Sequence, residues 1–275
     1  MMLDQRSAFS SYLTRLLSHG QVTFTAAQAQ LALGISQSAL LSAAEKQQKR
    51  GNLLKPRRGF YVIVAPQYLS WGAPPPSWYI DALMLHQARL YYVGLLKAAE
   101  LNGATHQAVM EFQIVTDKQM RRIKAGRSAL AFYYRKDMAA ISAGIEDHKT
   151  DTGSMKVSGA ELTALDLLRY PHGAGGLDHI VTVLTDLGER IDGDKLAALA
   201  STFERAVLQR LGFLLGYCGQ GDKADPLHAL LDAGSSLPWV ELEPALAGDP
   251  DFAPDVVERS KRWHVIGRRA PEADT

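Results

Sequence analysis

The chain has 275 residues, of which 47% are hydrophobic and 21% charged, a composition typical of a soluble globular protein that excludes a disordered one. Its single cysteine, Cys218, excludes an internal disulfide and argues against a cysteine-based zinc site. No segment is apolar over the roughly 18–20 residues that a membrane span needs, and the N-terminus has no apolar signal region, so we expect a reduced, cytoplasmic protein.

The charge is unevenly distributed along the chain. The whole chain has a net charge of +1, whereas residues 1–64 contain eight basic and two acidic residues, a net charge of +6, and the rest therefore carries −5. A basic segment followed by an acidic body predicts a polyanion partner at one end of the protein and a different task at the other.

Residues 1–65 are predicted to form a winged helix-turn-helix domain that binds DNA. Thr25 and Ser36 each precede a helical pattern and are good N-cap residues, while Gly59 can adopt the positive φ that a tight hairpin needs. The expected elements are a helix that ends before Gly20, a strand-prone run at 22–24, helices over 26–33 and 37–50, and strands at 53–55 and 60–64 around the basic turn Lys55-Pro56-Arg57-Arg58-Gly59.

The third helix is expected to have one buried and one exposed side. Leu40, Ala43, Ala44 and Gln47 follow helical spacing and should face the first two helices. The opposite side and the basic turn can reach bases and phosphates in the major and minor grooves. The predicted DNA contacts are Gln37, Ser38, Ser42, Lys46, Lys49, Arg57 and Arg58. A helix-turn-helix that makes only protein contacts remains the alternative, as do ordinary solvated roles for the polar residues.

Residues 66–275 are predicted to form a larger, helix-rich domain, so the expected fold class is α+β. The prolines at 74–76 should stiffen the connection between the two domains. The expected helices span 77–89, 92–101, 159–170, 177–189, 194–201, 203–218 and 225–233, and the expected strands span 110–116, 129–135, 239–242 and 263–266. The aromatic residues Trp78, Tyr79, Tyr91 and Tyr92 lie at helical spacing, which favours core packing over an exposed surface.

Two further features have a functional and a structural interpretation. The basic segment from Lys118 to Arg127 is either a second phosphate contact, a patch that faces a protein partner, or a solvated strand edge. The glycine-rich stretch from His172 to His179 joins two predicted helices, which favours a plain loop over a phosphate cradle or a metal site. Motifs of hydrolases, P-loop proteins, zinc proteases and dinucleotide enzymes are missing, so we predict no enzyme activity, no cofactor and no metal.

Several strings along the chain together resemble one protein family, the AbiEi-type antitoxins of abortive-infection (type IV toxin–antitoxin) systems. The resemblance covers most of residues 1–245. The strings that carry it are Arg57-Arg58-Gly59-Phe60-Tyr61, the stretch from Pro74 to Met84, the stretch from Tyr91 to Leu101, Ala164-Leu165-Asp166-Leu167-Leu168-Arg169-Tyr170-Pro171, Gly175-Gly176-Leu177 and the stretch from Leu208 to Leu215.

The resemblance implies a bifunctional protein that takes part in phage defence. The N-terminal winged helix would repress its own operon by binding double-stranded promoter DNA with repeated half-sites. The C-terminal domain would counteract a nucleotidyltransferase-like toxin encoded next to it, although members of the family need not form a stable complex with their toxin. Because one winged helix covers little DNA, we expect two copies, as a homodimer on DNA, to occupy repeated half-sites.

Two other functions are compatible with the residues alone. A one-component transcriptional regulator would combine the same DNA-binding head with a small-molecule pocket in the C-terminal domain, and a ligand would then change its DNA affinity. A nucleic-acid enzyme would need catalytic groups that are scattered beyond recognisable motifs, and the missing motifs count against it.

Overall fold

The structure is a computed structural model that describes residues 5–104, 109–233, 236–248 and 253–272, with the side chains of residues 5–7 not described. The fold is mixed α+β, as predicted. The chain forms two compact units, each assembled from separate stretches of sequence. The first unit comprises Met1–Tyr91, Met110–Tyr134 and Asp147–Lys156, and the second comprises Tyr92–Val109, Arg135–Glu146 and Val157–Thr275.

In chain order the elements are α1 (Gln5–Ser18), β1 (Thr23–Thr25), α2 (Ala26–Leu33), α3 (Gln37–Lys49), β2 (Leu53–Arg57), β3 (Phe60–Ile63), α4 (Ile80–His86), β4 (Tyr91–Val93), α5 (Leu95–Leu101), β5 (Glu111–Thr116), β6 (Ile123–Ala125), β7 (Ser128–Tyr134), β8 (Ile145–Thr150), β9 (Gly153–Ser158), α6 (Ala160–Arg169), α7 (Leu177–Gly188), α8 (Gly193–Ala200), α9 (Arg205–Tyr217), α10 (Asp225–Asp232), β10 (Val240–Glu241), β11 (Glu258–Ser260) and β12 (Val265–Gly267). Short 3₁₀ turns connect several of them, such as Pro66–Tyr68 and Pro76–Trp78.

The first three helices of the first unit enclose a small core. Local signals set their ends: the Thr25 hydroxyl accepts a hydrogen bond from the Gln28 amide at 3.2 Å, and the Gln28 side chain accepts one from the Thr25 amide at 2.7 Å. Gly34, with φ of 61°, ends α2. The buried residues of the core are Phe9, Tyr12, Leu13, Phe24, Ala29, Leu40, Ala44, Leu53, Tyr61 and Ile63.

Two sheets complete the first unit. Strands β1, β3 and β2 form an antiparallel sheet in that order, and Gly59 turns the chain between β2 and β3 with φ of +74°. In the other sheet β5 pairs with β7 in parallel over the whole length of β5, and β6 pairs with β7 antiparallel. Residues 110–134, which contain β5, β6 and β7, therefore belong to the same compact unit as the first three helices.

The segment after β3 packs closely against the β6–β7 turn. The Arg127 amide donates a hydrogen bond to the Trp71 carbonyl at 2.9 Å, and a Cβ added to Gly126 would lie 2.1 Å from that carbonyl oxygen. Such an approach of two backbones is possible only because Gly126 has no side chain. The segment is therefore held in place within the first unit.

In the second unit α6 runs through the core, with eight of its ten residues buried. Its Asp166 is fully buried and accepts a hydrogen bond from the Tyr92 hydroxyl at 2.6 Å, while the guanidinium of Arg135 lies 3.6 Å from its other oxygen. Arg135 also donates to the Thr202 hydroxyl at 2.9 Å and stacks over Phe203. Burial raises the pKa of the Asp166 carboxyl to about 7, and the Tyr92 hydrogen bond and Arg135 oppose that rise.

The C-terminal strands pack on α9. Strand β12 pairs in parallel with β10 and antiparallel with β11. The Gln209 amide nitrogen donates to the carbonyls of Pro238 and Trp263, both at 2.9 Å. Trp263 lies directly over Gly212, since a Cβ there would be 2.2 Å from the indole ring. A glycine in the helix therefore provides the notch that receives the tryptophan.

The structure corrects several predicted elements. The stretch 92–101 is not one helix, because Tyr91–Val93 form strand β4, Gly94 adopts an extended conformation with φ of −129°, and α5 begins only at Leu95. Tyrosine and valine favour strands, which explains why β4 forms where helical spacing predicted a helix. Strands β8, β9 and β11 were not predicted at all, and β6 lies in the basic segment for which a strand edge was one of the interpretations. Within the described residues, no helix has both the length and the apolar character to cross a membrane.

Candidate nucleic-acid interface

Helix α3 has one buried and one exposed side, as its spacing predicted. Leu40, Ala44 and Gln47 are buried, and the Gln47 side chain donates to the Ser10 hydroxyl at 3.0 Å, which fixes the helix against α1. The Ser36 hydroxyl caps the helix by accepting from the Ala39 amide at 3.3 Å. All five predicted contact residues of this helix have exposed side chains: Gln37, Ser38, Ser42, Lys46 and Lys49.

The N-terminal half of the exposed side is polar and uncharged. Gln37, Ser38 and Ser42 can each both donate and accept hydrogen bonds, which suits the edges of bases in the major groove. The Ser38 hydroxyl lies 3.0 Å from the hydroxyl of Ser36, so it is already oriented by the helix cap. This half of the helix can read base edges.

The C-terminal half carries the cations. Lys46 and Lys49 lie in the last turn of the helix, and Lys49 forms an i,i+4 ion pair with Glu45 at 2.8 Å. The hydrogen bond between them lowers the pKa of Glu45 and raises that of Lys49. Because both side chains are largely exposed, the pair is weak and Lys49 can exchange its carboxylate for a DNA phosphate.

The two arginines of the basic turn have different surroundings. The Arg58 side chain is exposed, and its carbonyl accepts a hydrogen bond from His86 Nε2 at 3.1 Å in the Nε2-protonated tautomer. Arg57 is half-buried: its guanidinium donates to the Arg121 carbonyl at 2.7 Å and lies over the Phe132 ring at 5.6 Å. Burial lowers the pKa of Arg57, although an arginine remains charged at neutral pH. Arg57 therefore fixes the turn to the β5–β7 sheet, whereas Arg58 faces solvent.

A hollow of about 350 Å³ lies beside Arg57 and is lined by cations. Arg89 and Asp117 form a long ion pair across 3.8 Å at its side. We call this hollow the basic hollow, and its lining residues are Arg57, Gln87, Arg89, Lys118, Met120 and Arg121. Lys118 and Arg121 belong to the basic segment that the sequence singled out, whereas Arg89 was not among the predicted contacts. Nothing in the sequence except its charge distinguished Arg89, because its neighbours in the hollow come from distant parts of the chain.

Opposite charges are segregated between the two units. The first unit contains 16 basic and 7 acidic residues, a net charge of +9, and the second contains 14 basic and 22 acidic residues, a net charge of −8. Residues 110–134 alone contribute five basic and two acidic residues to the first unit. The basic surface is therefore larger than the N-terminal segment that the sequence indicated.

The other candidate sites that the sequence suggested lie in surroundings that give their residues a structural role. The stretch His172–His179 joins α6 and α7 through a 3₁₀ turn, and no group of three or more potential metal ligands occurs among the residues that the structure describes. Tyr79, Tyr91 and Tyr92 are buried in their own units, which confirms core packing for three of the four aromatic residues. Burial raises the pKa of the Cys218 thiol, which makes it a poor nucleophile.

Comparisons with known proteins find a matching family model for part of the chain and a solved structure with a similar fold. Residues 92–217 match the family model described as the AbiEi antitoxin C-terminal domain, which confirms the predicted resemblance. The crystal structure of the RV2827C protein from Mycobacterium tuberculosis is similar in fold, with a TM-score of 0.69 and 17% sequence identity over 94% of this chain and 90% of that chain. No curated protein matches the chain.

Proposed function

Because residues 92–217 match the family model described as the AbiEi antitoxin C-terminal domain, we propose that this protein is the antitoxin of a toxin–antitoxin operon and also represses that operon. In this proposal the antitoxin counteracts a nucleotidyltransferase-like toxin encoded beside it. Residues 1–65 act as a winged helix-turn-helix on repeated half-sites in the promoter. The matched region begins at Tyr92 and includes β5–β7, so it draws on both compact units.

The observation that carries the DNA-binding part is the exposed side of α3, which belongs to the same unit as the basic turn. In one unit with a net charge of +9, uncharged polar residues occupy the first turns of the helix and two lysines occupy its last turn. This order matches how helix-turn-helix proteins place base-reading residues first and phosphate-binding residues last. Gln37, Ser38 and Ser42 would read bases, and Lys46, Lys49 and Arg58 would bind phosphates.

Arg57 has a different role in this proposal. Its hydrogen bond to the Arg121 carbonyl leaves the rest of its guanidinium beside the basic hollow. It would hold the basic turn in position and add to the positive potential there rather than make an independent phosphate contact. The basic hollow can accept a backbone phosphate that lies outside the footprint of α3.

The antitoxin part of the proposal rests on the family match. The second unit has a net charge of −8, which makes it a poor binder of nucleic acid and leaves it available for another task. We propose that this unit is required to counteract the toxin, by direct contact or by another route.

Binding to the chain's own promoter tests the DNA-binding part. Fluorescence anisotropy with a duplex from upstream of the gene would compare the wild type with a Lys46→Ala, Lys49→Ala variant and with Lys261→Ala, an exposed lysine of the second unit. We expect the α3 variant to lose at least tenfold in affinity at physiological salt and Lys261→Ala to bind like the wild type. Equal losses in both variants would indicate a diffuse charge effect and contradict the interface.

A further inference from the structure

One apolar side chain interrupts the polar exposed side of α3. Leu41 is 44% exposed, whereas Leu40, the other leucine of the helix, is fully buried in the core. Among the described residues, Leu41 belongs neither to that core nor to the half-buried side chains that pack against it. A single exposed leucine is common on protein surfaces, so the surroundings of this one decide whether it has a task.

The position of Leu41 places it among the residues proposed to read bases. Residues three and four apart lie on the same side of an α-helix, so Leu41 follows Gln37 and Ser38 by one turn and precedes Glu45 by one turn. All of these neighbours are exposed. Because the Glu45 carboxylate is paired with Lys49 at 2.8 Å, Leu41 lies between uncharged polar residues on one side and an ion pair on the other.

The composition of α3 favours A·T over G·C base pairs. Arginine and lysine are the usual readers of guanine in the major groove, whereas glutamine pairs with adenine. The sequence of residues 37–49 contains no arginine, and both its lysines lie in the last turn. Gln37 is the first residue of the helix, where helix-turn-helix proteins contact bases. The first two turns of α3 therefore carry an adenine reader and no guanine reader.

Thymine has the one apolar group that a base pair presents in the major groove, its C5 methyl. A leucine against a polar base edge would displace water from a donor or an acceptor without replacing its hydrogen bond, which costs free energy. A leucine against a thymine would instead bury its own exposed part together with the methyl group. An A·T pair is therefore the partner that suits both Gln37 and Leu41.

We propose that Leu41 reads the methyl group of a thymine in the half-site, and that Gln37, one turn earlier on the same side of α3, reads the adenine of a neighbouring base pair. The inference rests on the proposed DNA-binding function. It names the class of sequence that the helix selects, a half-site with A·T pairs under the first two turns of α3.

The test removes the methyl group from the DNA and leaves the protein unchanged. Fluorescence anisotropy measures binding to the duplex from upstream of the gene and to a series in which deoxyuridine replaces one thymine at a time. We expect the wild type to lose roughly fourfold in affinity at one or two thymines, the effect of one methyl group that is no longer buried. A wild type that binds the unmodified duplex but tolerates every replacement would overturn the proposal.

The variant Leu41→Ala identifies the side chain that contacts this methyl group. Its matched control is Leu230→Ala on α10 of the second unit, where the leucine is 50% exposed. We expect Leu41→Ala to bind the unmodified duplex about 3–10-fold more weakly and to lose nothing further when the sensitive thymine is replaced. Its salt slope should stay unchanged, because no phosphate contact is lost, and Leu230→Ala should behave like the wild type in every titration. If Leu41→Ala keeps the sensitivity to deoxyuridine, another residue contacts the methyl group and the proposal is wrong.

Binding to the unmodified duplex separates this inference from the proposed function. If the wild type does not bind that duplex, DNA binding itself is refuted. If the wild type binds it, and the variant Lys46→Ala, Lys49→Ala binds it more weakly, the DNA-binding function stands whatever the deoxyuridine series shows. A series without any effect then refutes only the role of Leu41.

Discussion

Arg57 and Arg58 are adjacent in the sequence, yet the structure gives them separate tasks. The guanidinium of Arg57 is half-buried, hydrogen-bonded to the Arg121 carbonyl and placed over Phe132, whereas the side chain of Arg58 is exposed. Two adjacent arginines in the sequence therefore do not imply two equal phosphate contacts. The difference between the two arginines arises because residues 110–134 pack against Arg57.

We expect Arg58→Ala to reduce the dependence of DNA affinity on salt by about 1 in the log–log slope, since each phosphate contact releases close to one counterion. Arg57→Ala should instead lower affinity together with thermal stability, because it also removes a contact within the first unit. Anisotropy titrations over a range of salt concentrations, with Lys261→Ala as the control, measure the slopes. If the slope is unchanged in Arg58→Ala, Arg58 makes no phosphate contact.

Asp166 is the most buried acid in the second unit, and its environment predicts a dependence of stability on pH. Burial raises its pKa in the folded protein to about 7, above the value of about 3.9 expected for an unfolded chain. The folded state then binds the proton more tightly, so this group's contribution is fully present below pH 4 and is lost as the pH rises through 7.

The variant Asp166→Asn removes this titration. We expect the free energy of unfolding of the wild type, measured relative to Asp166→Asn by urea denaturation, to fall between pH 4.5 and pH 7.5. The comparison with the variant cancels the contribution of other acids such as Asp178 and Asp192, whose pKa values are lowered by hydrogen bonds and whose contribution changes in the opposite direction. A difference that grows with pH would show that Asp166 is held charged by Arg135.

At the scale of elements, glycines decide how two segments meet. Gly212 and Gly216 lie on the same helix, α9, but only Gly212 contacts Trp263, and a Cβ on Gly216 would meet nothing within 4 Å. The helix therefore contains its own control for a packing experiment.

We expect Gly212→Ala to lower the free energy of unfolding by about 1–3 kcal/mol, because the added methyl group displaces the indole ring from its notch. Gly216→Ala should be neutral or raise it by up to about 1 kcal/mol, since alanine favours a helix over glycine. Urea unfolding followed by tryptophan fluorescence measures both. Equal effects would mean that Trp263 does not depend on the notch.

The close approach at Gly126 allows a second matched comparison. Gly126 has φ of +59° and faces the Trp71 carbonyl, whereas Gly34 has φ of +61° and nothing within 4 Å of an added Cβ. Alanine is strained in both places by a similar backbone cost, so the extra loss in Gly126→Ala reports the packing of the 66–72 segment. We expect that extra loss to be about 1–3 kcal/mol in thermal or urea unfolding. The packing would be unimportant if the two variants lost the same stability.

Much of the helix content could be predicted from the sequence, because its signals are local. The cap residue Thr25 and the glycine at 34 marked both ends of α2, and Ser36 marked the start of α3, whose predicted end at residue 50 lies one residue beyond Lys49. The apolar spacing placed α6–α10 within a few positions.

Strands depend on partners that are distant in sequence, and although the predicted strands have counterparts in the structure, β4, β8, β9 and β11 were missed. Strand β8 has only half-buried or exposed positions, so no apolar alternation marked it. In β9 the alternation is limited to two buried apolar residues, Met155 and Val157, which is too short to mark a strand.

The candidate interface, like the fold, was predicted only in part from the sequence. The exposed side of α3 follows from helical periodicity, which needs only the positions of its apolar residues. The basic hollow could not be foreseen, because it joins Arg57, Arg89 and Arg121 through the parallel pairing of β5 with β7. The predicted domain boundary after residue 65 stays a prediction.

For the whole molecule, the segregation of charge is the feature that relates structure to the two proposed tasks. The chain is nearly neutral, but its compact units carry +9 and −8. The positive unit attracts DNA and the negative unit repels it, so the two proposed tasks need not compete for one surface. We therefore expect that mutations in the 275-residue chain can separate DNA binding from protection against the toxin.

The most direct measurement uses one variant of the full chain, Lys46→Ala with Lys49→Ala and Arg58→Ala, in two assays. The neighbouring open reading frame is expressed in its host with the wild type or the variant, both supplied from an unrelated promoter, and growth is recorded beside occupancy of the native promoter. We expect that the neighbour is toxic, that both proteins restore growth, and that only the wild type occupies the promoter. A harmless neighbour, a variant that fails to restore growth although it is folded, or a variant that still occupies the promoter would contradict it.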